Sequence, residues 1–443
     1  MTESPVADGQ WTGRYRAYFL VVCLTAGILS YVDRQMLALL VDPVKKDLAI
    51  SDTQFSLLHG FAFSFFYASM AFVLGRWIDR SSRHKLIASG VAVWSLATLL
   101  TGLSTSFWQV FFSRMAVGIG EAALAPAVAS MITDIFPRRQ VGRAQAIFSI
   151  SLVLGSGLAF LIGGSVAQFF GTAELIDLPL VGATKPWQAA FFVVGPPGLL
   201  LALVMALSLR EPERHHLLRT RDGRVEHATL RQVLRYLADN RRTTLCVVLG
   251  FPCMSTTMYG IIAWAPAHFM RAYGMSQATT GLSFGLILLT STSCGVLLGG
   301  WLIDRLQARG RADASMRVCV YGALGMLLPL ALFSWLPSPG WSLAAIGVAL
   351  FCCSLSMPCG VTTMQLLSPN QMRGRINGLY LMWSVIMSGV VGPTLIALIT
   401  DYLFQSAQLV GHSLGLVGSL AAVAAAAFLG TGLKHYRATL ARL

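Results

Sequence analysis

The chain has 443 residues, of which 55% are hydrophobic and only 12% are charged, with a formal net charge of +14. Soluble proteins are about a quarter charged, so this composition argues against a water-soluble enzyme. A membrane span needs roughly 20 mostly apolar residues, and the length accommodates about a dozen of them. Lipid offers the backbone no hydrogen-bond partners, and the alternating strands of a bacterial β-barrel are not evident in the sequence. An all-α integral membrane protein is therefore predicted.

The apolar runs predict twelve transmembrane helices with both termini on one side of the membrane. They lie near residues 17–40, 55–78, 86–104, 107–133, 144–170, 187–209, 243–270, 277–303, 316–336, 341–367, 376–400 and 413–433. This pattern divides the chain into an N-terminal segment 1–16, a six-helix half 17–209, a linker 210–242, a second six-helix half 243–433 and a tail 434–443. No cleavable signal peptide is evident, so we expect the first run to remain as an uncleaved anchor.

The basic residues predict the orientation of these spans. Nearly all of the 33 Lys and Arg residues fall on the side of the termini. The opposite side has only Lys45, Lys46, Lys185 and Arg271. Because cytoplasmic loops carry the excess of Lys and Arg, we expect a multi-pass protein of the bacterial inner membrane with cytoplasmic termini. The basic clusters are short and lie between apolar runs, so nucleic acid is not expected as a partner.

The linker contains a predicted amphipathic helix. Leu230, Val233, Leu234 and Leu237 follow the i, i+3, i+4, i+7 spacing of one helix face. The arginines of this segment suit an anionic lipid surface. A connector that packs against the helix bundle is the alternative interpretation.

The same short sequence motifs recur in the two halves. Gly75-Arg-Trp-Ile-Asp-Arg80 closes the second span, and Gly300-Trp-Leu-Ile-Asp-Arg305 closes the eighth. In a similar way, Pro126 and Pro137 of the first half are matched by Pro358 and Pro369 of the second. Two parallel six-span repeats are typical of transporters that rock around a central site.

Two motifs carry a resemblance to a known family. The run Gly75-x-x-x-Asp79-Arg80-x-x-Arg83-His84-Lys85 resembles the loop 2–3 motif of the major facilitator superfamily. Tyr31-x-Asp33-Arg34 in span 1 and Arg114-x-x-x-Gly118-x-Gly120-Glu121 in span 4 are similar to the spinster-like branch. That resemblance implies two pseudo-symmetric six-helix halves and the transport of lysophospholipids or sphingoid phosphates. The anion:cation symporter branch, which carries sugar acids, has a similar charged span 1.

This sequence departs from the family pattern at two places. Ser82 stands where the loop 2–3 motif usually has glycine, and span 5 lacks the proline of the antiporter motif. The sequence therefore gives no support for antiport.

Four ionisable residues are expected at membrane depth: Asp33, Arg34, Arg114 and Glu121. Each costs about 2.5–3.5 kcal/mol at a helix centre, so they must pair or face water. Arg114 and Glu121 lie two helical turns apart on one face, and the resemblance places span 1 beside span 4. We interpret them as a proton switch, in which Glu121 or Asp33 takes up a proton when its pair separates and an arginine holds the carboxylate or a substrate anion. A static structural ion pair is the alternative.

Two further sets of residues complete the predicted site. Aromatic, methionine and polar side chains are expected to line a substrate cavity that suits an acyl chain, with lipid-facing packing as the alternative: Tyr31, His59, Tyr67, Thr256, Tyr259, Trp264, Met357 and Trp383. The resemblance implies a cytoplasmic gate that latches the two halves together, in which Arg83 holds Asp134 and Asp79 holds the start of span 11. The expected gate residues are Gly75, Asp79, Arg80, Arg83, Asp134, Arg143, Asp304 and Arg305.

These features predict a proton-coupled secondary transporter of an amphiphile such as a lysophospholipid, working by alternating access as a monomer. A proton-coupled symporter of sugar acids is one alternative, and a receptor that does not transport is another. No nucleophile–base pair, metal-ligand spacing or nucleotide loop stands out, so we expect no enzyme activity, metal or cofactor. The expected partners are a small amphiphilic or anionic substrate, protons and membrane lipids.

Overall fold

A computed structural model of the chain describes residues 11–78, 81–170, 175–178, 181–213, 229–357, 359–369 and 372–440. Each of the twelve predicted spans lies on one helix or on consecutive helical segments of this structure. In chain order, spans 1 to 12 are Gly13–Leu39, Leu57–Ile78, Arg83–Gly102, Phe107–Ile135, Arg138–Phe170, Pro186–Ser208, Arg241–Tyr273, Gln277–Ala308, Ala314–Leu332, Pro339–Leu366, Arg373–Leu403 and Val410–Leu440. The predicted all-α membrane fold of two six-helix halves is confirmed.

Ten helices in the described part of the chain are long and apolar enough to cross a membrane. The other two spans are built from shorter pieces. Span 2 begins with the π-helical turn Leu57–Phe61 and continues as Ala62–Ile78, while span 10 consists of Pro339–Ser354 and Cys359–Leu366. Span 4 is also divided, into Phe107–Glu121 and Leu124–Ile135.

Short elements connect the spans. We call the membrane face that carries both chain ends the terminal side and the other face the opposite side. Helices Val41–Leu48 and Asp52–Ser56 lie between spans 1 and 2 on the opposite side, and an antiparallel pair of strands, Ile176–Leu178 and Gly182–Thr184, lies between spans 5 and 6. On the terminal side, the linker helix Leu230–Asp239 precedes span 7.

Large exposed indoles lie near both ends of the bundle. Trp77 and Trp301 lie toward the terminal-side ends of spans 2 and 8, while Trp108, Trp335 and Trp341 lie at the opposite side. Tryptophan is enriched at the two membrane–water boundaries, where its ring is apolar and its N–H can meet water. The two groups therefore match the borders of a bilayer.

Spans of the two halves pack closely together. Phe160 of span 5 meets Phe284 of span 8 with ring centroids 4.8 Å apart. Spans 2 and 11 approach at a glycine in each, since a Cβ placed on Gly60 would lie 2.4 Å from the carbonyl oxygen of Gly389. Both glycines belong to π-helical turns, Leu57–Phe61 and Met387–Val391, a rare geometry that is frequent at functional sites.

Candidate functional site

Two ion pairs join span 1 to span 4 inside the first half. Arg34 Nη2 donates to Glu121 Oε2 at 2.7 Å, and Arg114 Nη1 donates to Asp33 Oδ1 at 3.4 Å. The exposed fractions are 1% for Asp33, 8% for Arg34, 0% for Arg114 and 2% for Glu121. The structure thus brings together all four predicted ions as two buried pairs.

The two pairs differ in quality. The Arg34–Glu121 contact has the short separation of a charge-assisted hydrogen bond. The Asp33–Arg114 contact is longer, and within the described residues Nε and Nη2 of Arg114 have no hydrogen-bond partner. Breaking a buried ion pair by removing one partner is strongly destabilising, because an uncompensated charge remains. The stability of the buried Arg114 charge therefore depends on its ion pair with Asp33.

Aromatic rings surround the Arg34 guanidinium. Its central carbon lies 4.2 Å from the ring centroid of Phe63, 4.7 Å from that of Tyr31 and 5.2 Å from that of Tyr67. Phe63 also lies 5.7 Å from the Arg114 guanidinium carbon, so one ring contacts both cations. Cation–π contacts of this kind contribute about 0.5–2 kcal/mol, which offsets part of the desolvation of each charge. The sequence prediction did not include Phe63.

Gly118 explains how span 2 reaches these charges. It lies between Arg114 and Glu121 on span 4, and a Cβ there would lie 2.5 Å from the Phe63 carbonyl oxygen. A larger residue would push span 2 away and withdraw the Phe63 ring from the guanidinium groups. The close approach that this glycine permits is thus made by a neighbouring helix.

Glu121 ends the first piece of span 4. The turn at Ala122–Ala123 separates Phe107–Glu121 from Leu124–Ile135. The carboxylate therefore lies between the C-terminus of one helix and the N-terminus of the next, whose dipoles act on its charge in opposite senses.

A cavity of about 210 Å³ adjoins the Arg34–Glu121 pair. Its lining combines hydroxyl groups with apolar side chains and comes from spans 1, 2, 4 and 5: Gly27, Ser30, Tyr31, Arg34, Tyr67, Glu121, Leu124, Ala125, Phe148, Ser149, Ser151 and Leu152. Asp33 and Arg114 do not line this cavity. One pair therefore faces a space that can hold a molecule, and the other lies within the packing.

Not all of the predicted cavity residues line this space. Tyr31 and Tyr67 do, but the Thr256 hydroxyl donates to the Met387 carbonyl at 3.1 Å and the Trp264 indole donates to the Pro393 carbonyl at 2.9 Å. Trp264 is fully buried, and its ring packs on Phe55 of the first half. Both side chains thus serve the packing of spans 7 and 11, because a polar group in the membrane needs a partner.

The other predicted cavity residues do not line this space, although His59 and Tyr259 lie close enough to interact electrostatically with Arg34. His59 is buried and stacks on Phe55, with ring centroids 6.4 Å apart. Tyr259 is half-buried on span 7. Met357 and Trp383 are exposed, and the Trp383 indole donates to the Val248 carbonyl at 2.9 Å.

On the terminal side, Arg83 holds together the ends of three spans of the first half. Its guanidinium donates to Asp134 and, at 2.8 Å each, to Ser130 and Glu211, and it reaches the Pro212 carbonyl at 3.0 Å. All these partners belong to span 4 or to the segment after span 6. The expected Arg83–Asp134 contact is present, but it joins parts of one half and does not latch the two halves together.

Glu211 was not among the predicted gate residues. Burial raises the pKa of its carboxyl group, but hydrogen bonds from Arg83 and His84 outweigh this and hold the pKa below its ordinary value. The second half has a similar cluster, in which Asp313 binds Arg317 at 2.8 Å and Arg437 of span 12 at 3.2 Å. Each half is thus bound internally at its terminal side.

Among the remaining gate residues whose side chains the structure describes, none forms a hydrogen bond or ion pair with the other half. Gly75 lies within Ala62–Ile78, while Asp79 and Arg80 lie outside the described residues. Arg143, Asp304 and Arg305 are exposed, and the Arg305 guanidinium lies 4.9 Å from the Trp301 ring.

The opposite side carries ionic contacts between the halves that the sequence prediction missed. Arg271 of span 7 binds Asp42 at 2.7 Å and Asp52 at 2.8 Å, and Lys45 also contacts Asp52. We call these four residues the Arg271 latch. Where both partners are described, the ion pairs that join the two halves all belong to it. Next to it, Thr53 donates its backbone N–H and its hydroxyl to Asp401 at 2.7 and 2.6 Å.

Asp52 is the centre of the latch. It is fully buried, which raises the pKa of its carboxyl group, but Arg271 and Lys45 outweigh the burial and hold the pKa below its ordinary value. Arg271 also donates to the Ala407 carbonyl at 3.1 Å and lies 5.8 Å from the Trp264 ring. The latch therefore binds the segment between spans 1 and 2 to span 7, and Arg271 also reaches the segment between spans 11 and 12.

Residues 23–393 match the Major Facilitator Superfamily. The chain belongs to this superfamily. Among curated relatives, it is 28% identical over 461 residues to human protein spinster homolog 1, covering 95% of this chain and 81% of that protein. It is 28% identical to an MFS-type efflux pump of Mycolicibacterium smegmatis, covering 91% and 90%, and 25% identical to a probable L-galactonate transporter of Escherichia coli, covering 76% and 73%.

Solved structures show the same fold. A bacterial homologue of the human lysosomal transporter Spinster, in an inward-facing and occupied conformation, superposes with a TM-score of 0.75 at 22% identity, covering 97% of each chain. A D-xylose–proton symporter superposes with a TM-score of 0.66 at 15% identity, covering 93% of this chain and 97% of that one. The predicted membership, with its spinster-like resemblance, is confirmed, and the family assigns the chain as a transporter and not as an enzyme.

Proposed function

We propose that this transporter couples the movement of an amphiphilic anion, such as a lysophospholipid, to protons by alternating access. The observation that carries the proposal is the buried Arg34–Glu121 pair, because both side chains line a cavity next to the pair. A charged pair that only stabilised the fold would gain nothing from facing a cavity, and buried pairs contribute little to stability.

Glu121 is the proposed proton carrier. While ionised, its carboxylate neutralises Arg34 across 2.7 Å. When a proton binds to it, the ion pair is lost and the Arg34 guanidinium has an uncompensated charge in a low-dielectric site. Such a charge favours an anion from the cavity, so proton binding and substrate binding support each other. The Asp33–Arg114 pair lies behind the cavity and holds the neighbouring helix faces in register.

The Arg271 latch supports alternating access. It holds the halves together on the opposite side, whereas the ionic clusters of the terminal side lie within one half each. Because the halves are bound to each other on the opposite side, the cavity beside Arg34 opens to the terminal side when the terminal-side ends of the two halves separate. With the termini placed in the cytoplasm by the excess of Lys and Arg there, this is an inward-facing state.

The cavity lining favours an amphiphile. Arg34 and the Ser30 hydroxyl suit a phosphate group, while Leu124, Phe148 and Leu152 offer apolar surface to the adjoining chain. The similarity to spinster proteins supports this choice. Arg34 would also bind a carboxylate, and the similarity to an L-galactonate transporter keeps a sugar acid as the second candidate.

Transport by purified protein in vesicles distinguishes these functions. The vesicles carry an imposed pH gradient, and two probes are compared: a fluorescent lysophospholipid, counted as the fraction protected from albumin extraction, and a radiolabelled sugar acid. We expect the pH gradient to drive lysophospholipid movement several-fold faster than in vesicles without protein. Movement of the sugar acid alone would overturn the proposed substrate class. Movement of neither probe would favour a receptor, and movement that ignores the pH gradient would refute proton coupling.

A further inference from the structure

One face of the linker helix Leu230–Asp239 is bound to the second half. Val233 is fully buried and packs in a cluster with Val247 and Phe251 of span 7. The Tyr236 hydroxyl donates to the Leu367 carbonyl, at the end of span 10, at 2.5 Å. Thr229 caps the helix by accepting from the Gln232 backbone at 3.3 Å. These contacts fix which side of the helix faces outward.

The outward face has two arginines with Leu234 between them and Asp239 at its C-terminal end. Arg231, Leu234, Arg235 and Ala238 follow the i, i+3, i+4, i+7 spacing and are all exposed, Leu234 with 53% of its surface. Between described residues, no ion pair involves Arg231 or Arg235. The positive charge of this face is therefore available to an anionic partner.

The chain connection places this face at the membrane surface. Asn240 alone separates the linker helix from span 7, which begins at Arg241. Arg241 and Arg242 are exposed as well, so the basic surface continues onto the first turn of the span. The four arginines therefore form a basic cluster immediately beside a membrane-spanning helix, a position typical of sites that bind anionic lipid headgroups.

We propose that Arg231 and Arg235 bind the phosphate groups of anionic phospholipids on the terminal side, while Leu234 contacts the acyl boundary between them. Basic residues that flank an apolar one on a surface helix suit an anionic bilayer. A membrane lipid fits better than a soluble acidic protein, because the four arginines lie next to the start of a membrane-spanning helix. Since the inner face is bound to spans 7 and 10, the bound lipid tethers the second half. This inference does not depend on the transported substrate.

Native mass spectrometry of the full chain, released from mixed micelles of phosphatidylglycerol and phosphatidylcholine, tests the proposal. The variant Arg231→Gln/Arg235→Gln is compared with Arg231→Lys/Arg235→Lys, which keeps both positive charges at the same exposed positions. A surface arginine contributes about fivefold to binding at an anionic membrane, so we expect the first variant to lose about 30-fold in phosphatidylglycerol retention. The control should stay within about twofold of the unmodified protein.

Several results would overturn the proposal. The unmodified protein could retain both lipids equally, the two variants could lose phosphatidylglycerol to the same degree, or the first variant could retain it fully. Binding of a soluble polyglutamate peptide that is lost in the first variant, with lipid retention unchanged, would instead assign the face to an acidic protein. Because both arginines are exposed, we expect the variants and the unmodified chain to unfold at the same temperature. This equality verifies that a difference in lipid retention does not come from misfolding.

Discussion

Both halves have a helix break at the equivalent position, but the side chains at the break differ in charge. Span 4 breaks after Glu121, and span 10 breaks after Ser354, next to Cys353, which stands where Glu121 stands in the register that aligns Pro126 with Pro358. Glu121 forms an ion pair with span 1, whereas the Cys353 thiol donates to the Met254 carbonyl of span 7 at 3.1 Å. The geometry of the break thus does not require a charge.

The position of Arg114 gives the same contrast. Its counterpart in the second half is Ile346, and both side chains are fully buried. An aliphatic side chain therefore fills the equivalent site of the second half without any ion, and the charges of the first half cannot be explained by packing. Because each ion costs about 2.5–3.5 kcal/mol at a helix centre, the presence of these ions in the first half supports the proposal that coupling takes place there.

The largest expected effect comes from removing the charge at the break of the first half. Glu121→Gln should leave Arg34 permanently unpaired, so that binding of an anionic substrate no longer changes with pH and accumulation driven by a pH gradient disappears. One pH unit corresponds to about 1.4 kcal/mol, so the unmodified protein can accumulate a singly charged anion about tenfold for one proton. Equilibrium uptake in vesicles measures this ratio.

Cys353→Ser is the matched control for Glu121→Gln, because it changes the equivalent position of the second half and keeps a donor for the Met254 carbonyl. We expect accumulation within about twofold of the unmodified protein. Loss of accumulation in Cys353→Ser, or its retention in Glu121→Gln, would contradict the asymmetry between the halves.

The second pair should show a cost in stability. Asp33→Asn removes the anion that faces Arg114, and a buried charge left without its partner costs roughly 3–5 kcal/mol. Thermal unfolding in detergent measures the loss. The double variant Asp33→Asn/Arg114→Gln removes both charges and should recover most of it, which gives the coupling between the two side chains. Equal stability of Asp33→Asn and the unmodified chain would show that the 3.4 Å contact is not an ion pair in solution.

A smaller effect is expected at the Arg271 latch, where the two halves meet. Arg271→Gln removes charged hydrogen bonds to Asp42 and Asp52, and each such bond contributes about 1.5–3 kcal/mol. The balance should shift by tenfold or more toward states that are open on the opposite side. Distances between spin labels in the loops joining spans 3–4 and 9–10 report this opening. Arg317→Gln breaks an ion pair inside the second half and should leave those distances unchanged.

Acid alone should not open the latch. The pKa of Asp52 lies below its ordinary value, so its contribution is present above that ordinary value, near pH 4, and is lost only as the pH falls through the lowered one. The same spin-label distances should therefore be equal at pH 8 and pH 5 without substrate. A latch that opened between these values would place the proton switch at the opposite side instead of at Glu121.

The sequence predicted the fold and the four buried ions because both leave a local signal. Long apolar runs mark spans, and Asp33, Arg34, Arg114 and Glu121 stand out as charges within them. The repeated Gly-x-x-x-Asp-Arg motif predicted the division into two halves. These features can be recognised in the sequence without knowing which helices contact each other.

The residues that the sequence did not yield depend on contacts between distant segments. Asp52 and Arg271 are 219 residues apart in the chain, and each looks like an ordinary loop charge when taken alone. Phe63 is one of several aromatic residues between Phe61 and Tyr67, and the sequence does not distinguish it from the others. Its role is evident only from the close packing of span 2 against Gly118. Trp264 was expected at the cavity because of its ring, but its indole N–H found a carbonyl partner in span 11.

Direct measurement of proton uptake tests the central claim, that Glu121 carries the proton which frees Arg34. A pH-sensitive dye trapped inside protein-containing vesicles records acidification when substrate is added outside. The unmodified protein should acidify the interior as substrate enters. Glu121→Gln should exchange labelled for unlabelled substrate across the vesicle membrane with no acidification. Acidification by Glu121→Gln equal to that of the unmodified protein would contradict the account.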